Sequence, residues 1–410
     1  MNVLIIGKGG REHAIADAVK RSKRDIKLFI APGNDGMRDL GTLVNIKETD
    51  NDNLLKFAIE NCIDLTIVGP EVSLANGVVD SFSAKGLKIF GPTKKAALIE
   101  SSKEYAKNLM KKYDIPTAKY EVFQTLDEAT KYVNKHGVPV VIKYDGLASG
   151  KGVTVAFSID EAHKALIDIF LDEVFGSSKV VIEDYLDGRE YSLMAFVNGD
   201  KVYPMETAKD HKRIFDNDLG PNTGGMGAYS PVSFITKEIY DYSVSQILEK
   251  TAKAMVLEEN PFVGVLYAGL ILSPQGPQVI EFNARFGDPE TEVVLPRLES
   301  DFIDVILGVL NKIDLELSWS KDTTLGVVLA SKGYPQSYKK GYPIMINGNP
   351  TLYHMGTKLD DNGYKTDGGR VLFVLGKGET FDCAFKNAYN AINNIKCDNL
   401  VYRHDIGLTK

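Results

Sequence analysis

The chain has 410 residues, a formal net charge of −7, 44% hydrophobic residues and 25% charged residues. At roughly 150 residues per domain that length suggests two to four domains, and the acidic balance argues against a general nucleic-acid or anionic-membrane binder. Cys62, Cys383 and Cys397 lie far apart with no CxxC, which argues against a zinc site or a disulfide framework. No apolar run reaches the ~18 residues of a membrane-spanning helix. The start MNVLIIGKGG is too short and glycine-broken for a signal peptide, so a cytoplasmic protein is expected.

The first hundred residues alternate short apolar runs with amphipathic stretches. Val3 to Ile6, Lys27 to Ala31, Leu65 to Val68 and Leu87 to Phe90 each end at a glycine or proline. Glu12 to Lys20, Asn53 to Glu60 and Val78 to Ala84 have helical spacing between them. This alternation predicts a parallel sheet with helices on its faces, whose ligands sit at the carboxyl ends of the strands. Residues 101–114 read as one helix opened by Ser101 and Ser102. A small α+β unit follows, with strands at Val140 to Lys143, Gly152 to Phe157 and Lys179 to Glu183 and a helix at Ile159 to Phe170. Long strand-like runs come next at Tyr191 to Val197, Val263 to Leu272 and Val279 to Asn283, with a helix over Lys237 to Leu257. A smaller unit from about Thr324 includes a strand at Arg370 to Leu375.

Several segments carry chemistry. In the first turn, 7–13, a strand runs in and a helix leaves. Amides at such a helix start, with Arg11, suit a phosphate, although a merely tight turn fits as well. A dinucleotide fingerprint fails, because Glu12 stands where its third glycine belongs and Ala31-Pro32 where its ribose-binding acid belongs. In the second turn, Gly146, Gly150 and Gly152 lie between Lys143 and Lys151. It is not a P-loop, yet a glycine loop with lysines between strands suits nucleotide phosphates better than it suits an ordinary hairpin. The acids of 180–190 could accept bonds from adenine or ribose, or simply be a solvated strand end. Residues 210–227, dense in charge and glycine, read as a binding loop in preference to disorder. In a strand, Glu281, Asn283 and Arg285 share one face. Two oxygen donors two residues apart suit Mg²⁺, and the arginine can hold a phosphate or carboxylate. His136, His163, His354 and His404 have no partners by spacing and read as surface or packing residues. Without GxSxG or a Cys/His pair, a covalent hydrolase is disfavoured.

Longer runs go further. GGREHA at 9–14, GPE at 69–71, KYDGLASGKGV at 143–153, DHKR…GPNTGGMGAYSP at 210–231, GVLYAGL at 264–270 and EFNARFGDPETE at 281–292 closely resemble the phosphoribosylamine–glycine ligase (glycinamide ribonucleotide synthetase) family of ATP-grasp enzymes. Tyr144, Ser149 and Asn217 are mild departures from that pattern. The resemblance implies a multidomain α/β and α+β protein. Its parts would be an N-terminal parallel α/β unit at 1–101, two ATP-grasp subdomains at 102–188 and 189–323, and a small C-terminal unit at 324–410. It implies ligation of glycine to 5-phosphoribosylamine with ATP and Mg²⁺ or Mn²⁺, by a monomer that binds neither nucleic acid nor membrane.

The resemblance also distributes the residues. Lys103, Lys143, Gly146, Ser149, Gly150, Gly152, Glu183, Tyr185, Leu186 and Glu190 would bind ATP, and Glu281 and Asn283 the metal. Gly9, Gly10, Arg11, Glu71, Asn222, Thr223, Gly224 and Gly225 would bind phosphoribosylamine. Arg285, Asp216 and Lys143 would be catalytic. Two other readings stand beside it: another ATP-grasp ligase, such as a carboxylase or formate-dependent transformylase, and a non-catalytic nucleotide sensor.

Overall fold

A computed structural model describes residues 1–147, 152–171 and 179–408. Its first hundred residues form a five-stranded parallel sheet, in the order Thr42–Leu43, Lys27–Pro32, Asn2–Gly7, Leu65–Val68 and Ile89–Phe90. The central strand is buried from Val3 onward, as a strand covered on both faces must be. It delivers the chain into the helix Gly10–Lys20.

The expected single helix over 101–114 is two helices, Leu98–Ser101 and Lys103–Lys112. Ser102 is extended between them, and its hydroxyl accepts from the Tyr105 amide. The Asp145 carboxylate accepts from the Lys103 and Glu104 amides at 2.6 and 3.2 Å. The second helix therefore begins where its orphan amides find these acceptors, and that start aims Lys103 at the 143–146 turn.

The small α+β unit is a four-stranded antiparallel sheet, ordered Tyr120–Phe123, Val180–Asp184, Val140–Tyr144 and Val153–Ala156. The helices Leu126–His136 and Ile159–Phe170 share its core. The first strand and first helix of this unit are additions to the sequence reading, because Tyr120–Phe123 is only half-buried and carries little apolar signal.

A long antiparallel sheet follows the path Gly276–Asn283, Val263–Ser273, Arg189–Asn198, Lys201–Asp210, Gly227–Ser230, Thr323–Ser331, Arg370–Gly378 and Leu352–His354. It crosses residue 323 without a break, because Gly227–Ser230 pairs with Thr323–Ser331. The expected loop over 210–227 is largely ordered backbone. It leaves Lys201–Asp210, makes a hairpin of Arg213–Phe215 and Leu219–Asn222, and returns as Gly227–Ser230. The helix expected over Lys237 to Leu257 is helical throughout, with a π segment at Ser243–Glu249. There the Ser243 hydroxyl bonds back to the Ile239 carbonyl and out to the Tyr191 hydroxyl, each at 2.7 Å, the kind of insertion that widens a turn.

An aromatic cluster ties these parts together: Phe286 faces Phe90, Phe196 and Phe302 at centroid distances of 6.1–6.4 Å. Phe286 directly follows Arg285, so core packing fixes the backbone that presents that arginine. Among the described residues no helix is long and apolar enough to cross a membrane.

Buried histidines join distant segments. His13 stacks on His354 at 5.6 Å, and its Nδ1 accepts from the His354 amide at 3.0 Å. His211 Nε2 accepts from the Gly407 amide at 2.9 Å. Both rings must be neutral at those nitrogens. Burial lowers the pKa of His13 to about 3, of His211 to about 4 and of His354 to about 4. An unfolded histidine protonates near 6.5, so this stability is complete above that value and is lost as pH falls toward 4. Between about pH 7 and pH 5 each depressed histidine should cost about 2 kcal/mol. Urea unfolding of His13→Phe should show a pH dependence shallower than wild type by roughly that amount. Identical pH dependence in the two proteins would refute it.

Candidate active site

The small antiparallel sheet, the long sheet and the helices Glu71–Ala75, Leu98–Ser101 and Lys103–Lys112 line one cavity of about 530 Å³. Apolar walls come from Ile99, Met110, Val141, Val155, Leu186 and Ile280. Behind them lies a buried charge group. Glu183 meets Lys143 through Oε1 and Lys107 through Oε2, each at 2.8 Å. Lys143 also donates to the Ile280 carbonyl at 2.9 Å. Lys107 also donates to Thr117 Oγ1 at 2.8 Å. Burial, with Lys143 nearby, lowers the Lys107 pKa to about 8 despite Glu183. Lys103 donates to the Gly146 carbonyl at 2.9 Å.

The other end is a carboxylate–cation network. Glu281 and Asn283 lie on the edge strand Gly276–Asn283 of the long sheet, opposite Gly269 and Tyr267. The absence of a Cβ on Gly269 leaves room for the Glu281 stem, which an added Cβ would approach to 3.2 Å. Burial opposes ionisation of Glu281, but Lys212, Lys143, Lys103 and Arg285 outweigh it and hold its pKa below the usual carboxylate range. An ionised carboxylate and an amide oxygen two residues apart are hard donors suited to a divalent cation. Asp210 sits nearby, and burial pushes it up to about 7, aided by Glu290, Glu190 and Glu281 and opposed by Lys212. Lys212 is drawn well above its ordinary value, chiefly by Glu190.

The strand ends at Asn283, so Arg285 lies just beyond it, not in it. Its Nη2 still reaches Asn283 Oδ1 at 3.3 Å. Its Nε lies 3.1 Å from both Glu71 Oε2 and Glu100 Oε1, at ion-pair distance without hydrogen-bond alignment. Burial opposes the charge, and the two acids hold the arginine firmly protonated. Arg285 and Arg11 overcome burial to bring Glu71 down to about 2, while burial leaves Glu100 raised.

The cavity thus gathers Lys103, Lys143, Gly146, Glu183, Tyr185, Leu186, Glu190, Glu71, Asn222, Thr223, Gly224, Glu281, Asn283 and Arg285. Gly152 and Gly225 lie outside its lining, and Ser149 and Gly150 lie outside the described residues. Asp216 is turned away, and its carboxylate accepts from the His404 amide at 2.7 Å and meets His404 Nδ1 at 3.0 Å. Asp218 of the same hairpin lines the cavity instead.

The Gly9–Arg11 turn also stands behind the lining. The Gly9 amide is taken by Glu12 Oε2 at 2.6 Å. Arg11 donates to the Phe286 carbonyl at 3.1 Å and lies 3.7 Å from Glu71. The sequence reading lacked Glu100, Lys107, Asp288 and Glu290. Of these, Asp288 and Glu290 lay within a quoted motif, GDPETE, and that motif was their only signal.

A cleft between a small antiparallel lid and a long sheet, with lysines above and an acid–amide pair below, is the site of an ATP-grasp enzyme. Models of the phosphoribosylglycinamide synthetase N domain, ATP-grasp (A) domain and C domain match residues 1–100, 101–291 and 324–409. The chain belongs to the phosphoribosylglycinamide synthetase family. It is 54% identical to the phosphoribosylamine–glycine ligase of Halalkalibacterium halodurans, over 99% of this chain and 96% of that one. It is also 54% identical to the enzyme of the same name from Listeria monocytogenes serovar 1/2a, over 99% of both. The crystal structure of phosphoribosylamine–glycine ligase from Thermotoga maritima superposes with a TM-score of 0.88 at 33% identity, covering 99% of this chain and 100% of that one. The biotin carboxylase domain of Hydrogenobacter thermophilus 2-oxoglutarate carboxylase, in complex with MgADP, ADP and bicarbonate, shares the fold at TM-score 0.76 and 15% identity, covering 98% of this chain and 91% of that one.

Proposed function

We propose that this protein ligates glycine to 5-phosphoribosylamine at the expense of ATP, giving glycinamide ribonucleotide, ADP and phosphate in purine biosynthesis. The observation that carries the reading is 54% identity to phosphoribosylamine–glycine ligases along essentially the whole chain, joined to a single cavity rich in phosphate- and metal-type groups.

A carboxylate does not react with an amine until it is activated. Phosphorylation of glycine by ATP to glycyl phosphate would supply that activation, with the amine then displacing phosphate. Phosphoryl transfer depends on positioning and charge neutralisation. Mg²⁺ or Mn²⁺ on Glu281 and Asn283 would neutralise phosphate charge. Lys143 and Lys103, with the Gly146–Gly152 turn, would hold the phosphates. Glu183, Tyr185, Leu186 and Glu190 would receive adenine and ribose. Arg285, between Glu71 and Glu100, would orient the glycine carboxylate and steady the acyl phosphate. Phosphoribosylamine would lie along Glu71 and Asn222–Gly225. Its phosphate would reach the Gly10 and Arg11 amides at the helix start, since Glu12 occupies only the Gly9 amide. The units 1–101, 102–188, 189–323 and 324–410 would divide these tasks in a cytoplasmic monomer.

ADP release is expected to require both glycine and phosphoribosylamine, the latter generated in place from ribose 5-phosphate and ammonia. Equal turnover with carboxylates unrelated to glycine would favour another ATP-grasp ligase. ATP binding without turnover under every substrate set would favour a sensor.

A further inference from the structure

The mechanism above gives no role to Lys107, a buried cation at the cavity. Lys107 lines the cavity at its apolar end, is 2% exposed, and lies 2.8 Å from Glu183 Oε2. Its other partner, Thr117 Oγ1, donates in turn to the Val279 carbonyl at 2.7 Å. Val279 begins the stretch that ends in Glu281 and Asn283, so Lys107 is tethered to the floor of the site.

The two lysines on Glu183 differ in position: Lys143, which also donates to the Ile280 carbonyl at 2.9 Å, leads into the 143–146 turn, whereas Lys107 lies on the helix Lys103–Lys112. Lys143 stands at the mouth of the 143–146 turn and is the one a triphosphate would draw away. Lys107 is anchored by a side chain that is itself anchored. Glu183 Oε1 has Lys143 at ion-pair distance without hydrogen-bond alignment; when Lys143 turns to phosphate, that buried oxygen is left without a partner, which is costly. A purine 6-amino group is a donor that could replace that partner. A 6-oxo group would face the same carboxylate with a lone pair and be repelled.

We propose that Lys107 is the permanent partner that holds and aims the Glu183 carboxylate after Lys143 leaves, making Glu183 the acceptor that selects a 6-aminopurine over a 6-oxopurine triphosphate. This inference rests on the reading of the cleft as the ATP site. Lys107 acts through Glu183 and is a positioning residue, not a catalytic one.

The test is steady-state kinetics of the full enzyme with ATP and with inosine triphosphate. Lys107→Met should raise the KM for ATP about tenfold, the order of one charge-assisted hydrogen bond, with kcat within about twofold. It should also reduce the ratio of kcat/KM for ATP to that for inosine triphosphate by a similar factor, and Lys107→Arg should restore part of it. Because Lys107 acts through Glu183, Lys107→Met combined with Glu183→Gln should discriminate no worse than Glu183→Gln alone. A wild-type preference for ATP that survives intact in Lys107→Met, or additive losses in the double variant, would overturn the Lys107 inference and leave the site reading standing. A wild-type enzyme indifferent to the two nucleotides would overturn the selection by Glu183, whereas unchanged ATP turnover in both Lys143→Met and Glu281→Gln would overturn the reading of the cleft itself.

Discussion

Glu281→Gln is expected to lower kcat by at least about 100-fold, with Asn283→Ala comparable, while both variants stay folded. One well-placed electrostatic contact to a transferring phosphoryl group is worth roughly 3–4 kcal/mol, and every 1.4 kcal/mol is about tenfold in rate. Here the charge matters more than the shape. Four cations keep Glu281 ionised within a buried site, and glutamine keeps the volume but removes the charge that faces them. The fold should survive because strand pairing of Gly276–Asn283 with Val263–Ser273 is made by backbone. Circular dichroism and thermal unfolding establish that the variant is folded. A folded Glu281→Gln enzyme with wild-type activity at limiting Mg²⁺ would contradict the metal role.

Gly10→Val should raise the KM for phosphoribosylamine at least about tenfold, roughly 1.4 kcal/mol of lost phosphate contact at a helix N-terminus, and leave the KM for ATP nearly unchanged. A Cβ built at Gly10 would lie 2.6 Å from Glu292 Oε1 and 2.9 Å from Met355 Cγ. The added branches are therefore turned against the amides, or the wall behind them moves. The part of the cavity at Lys107, Lys143 and Glu183, proposed to take ATP, is built from another helix and other strands and feels neither. If both KM values rose together, or only that for ATP, the allocation of the two phosphate positions would be wrong.

The parts of this site that were legible beforehand are those whose partners are close in sequence. Glu281 and Asn283 are two residues apart on a strand, and period two puts them on one face whatever the rest of the chain does. The parallel sheet was legible for the same reason, from apolar runs ending in glycine or proline. What could not be read are contacts closed by tertiary folding. Asp216, catalytic by resemblance alone, is bonded to the C-terminal segment through His404, a contact that no local spacing signals. The same segment buries Arg403 against Asp218, at 2.7 Å, and against Asp405, so the 213–222 hairpin is held from 185 residues away. His354 meets His13 across 341 residues, and no local spacing signals that. The helix over 101–114 broke at Ser102 because Asp145, on another element, caps the second half. Lys107 carries no local signal, because a lysine on an amphipathic helix usually faces water, and only tertiary folding makes it part of the cavity lining.

The central claim is that one cavity couples ATP cleavage to amide formation between these two substrates. It is tested most directly by following radiolabelled glycine into product while ADP is measured in the same reaction. The account predicts one label incorporated into a phosphorylated glycinamide for each ADP formed, and no incorporation when phosphoribosylamine is omitted. ADP release at the full rate with no label in a phosphorylated amide would contradict it.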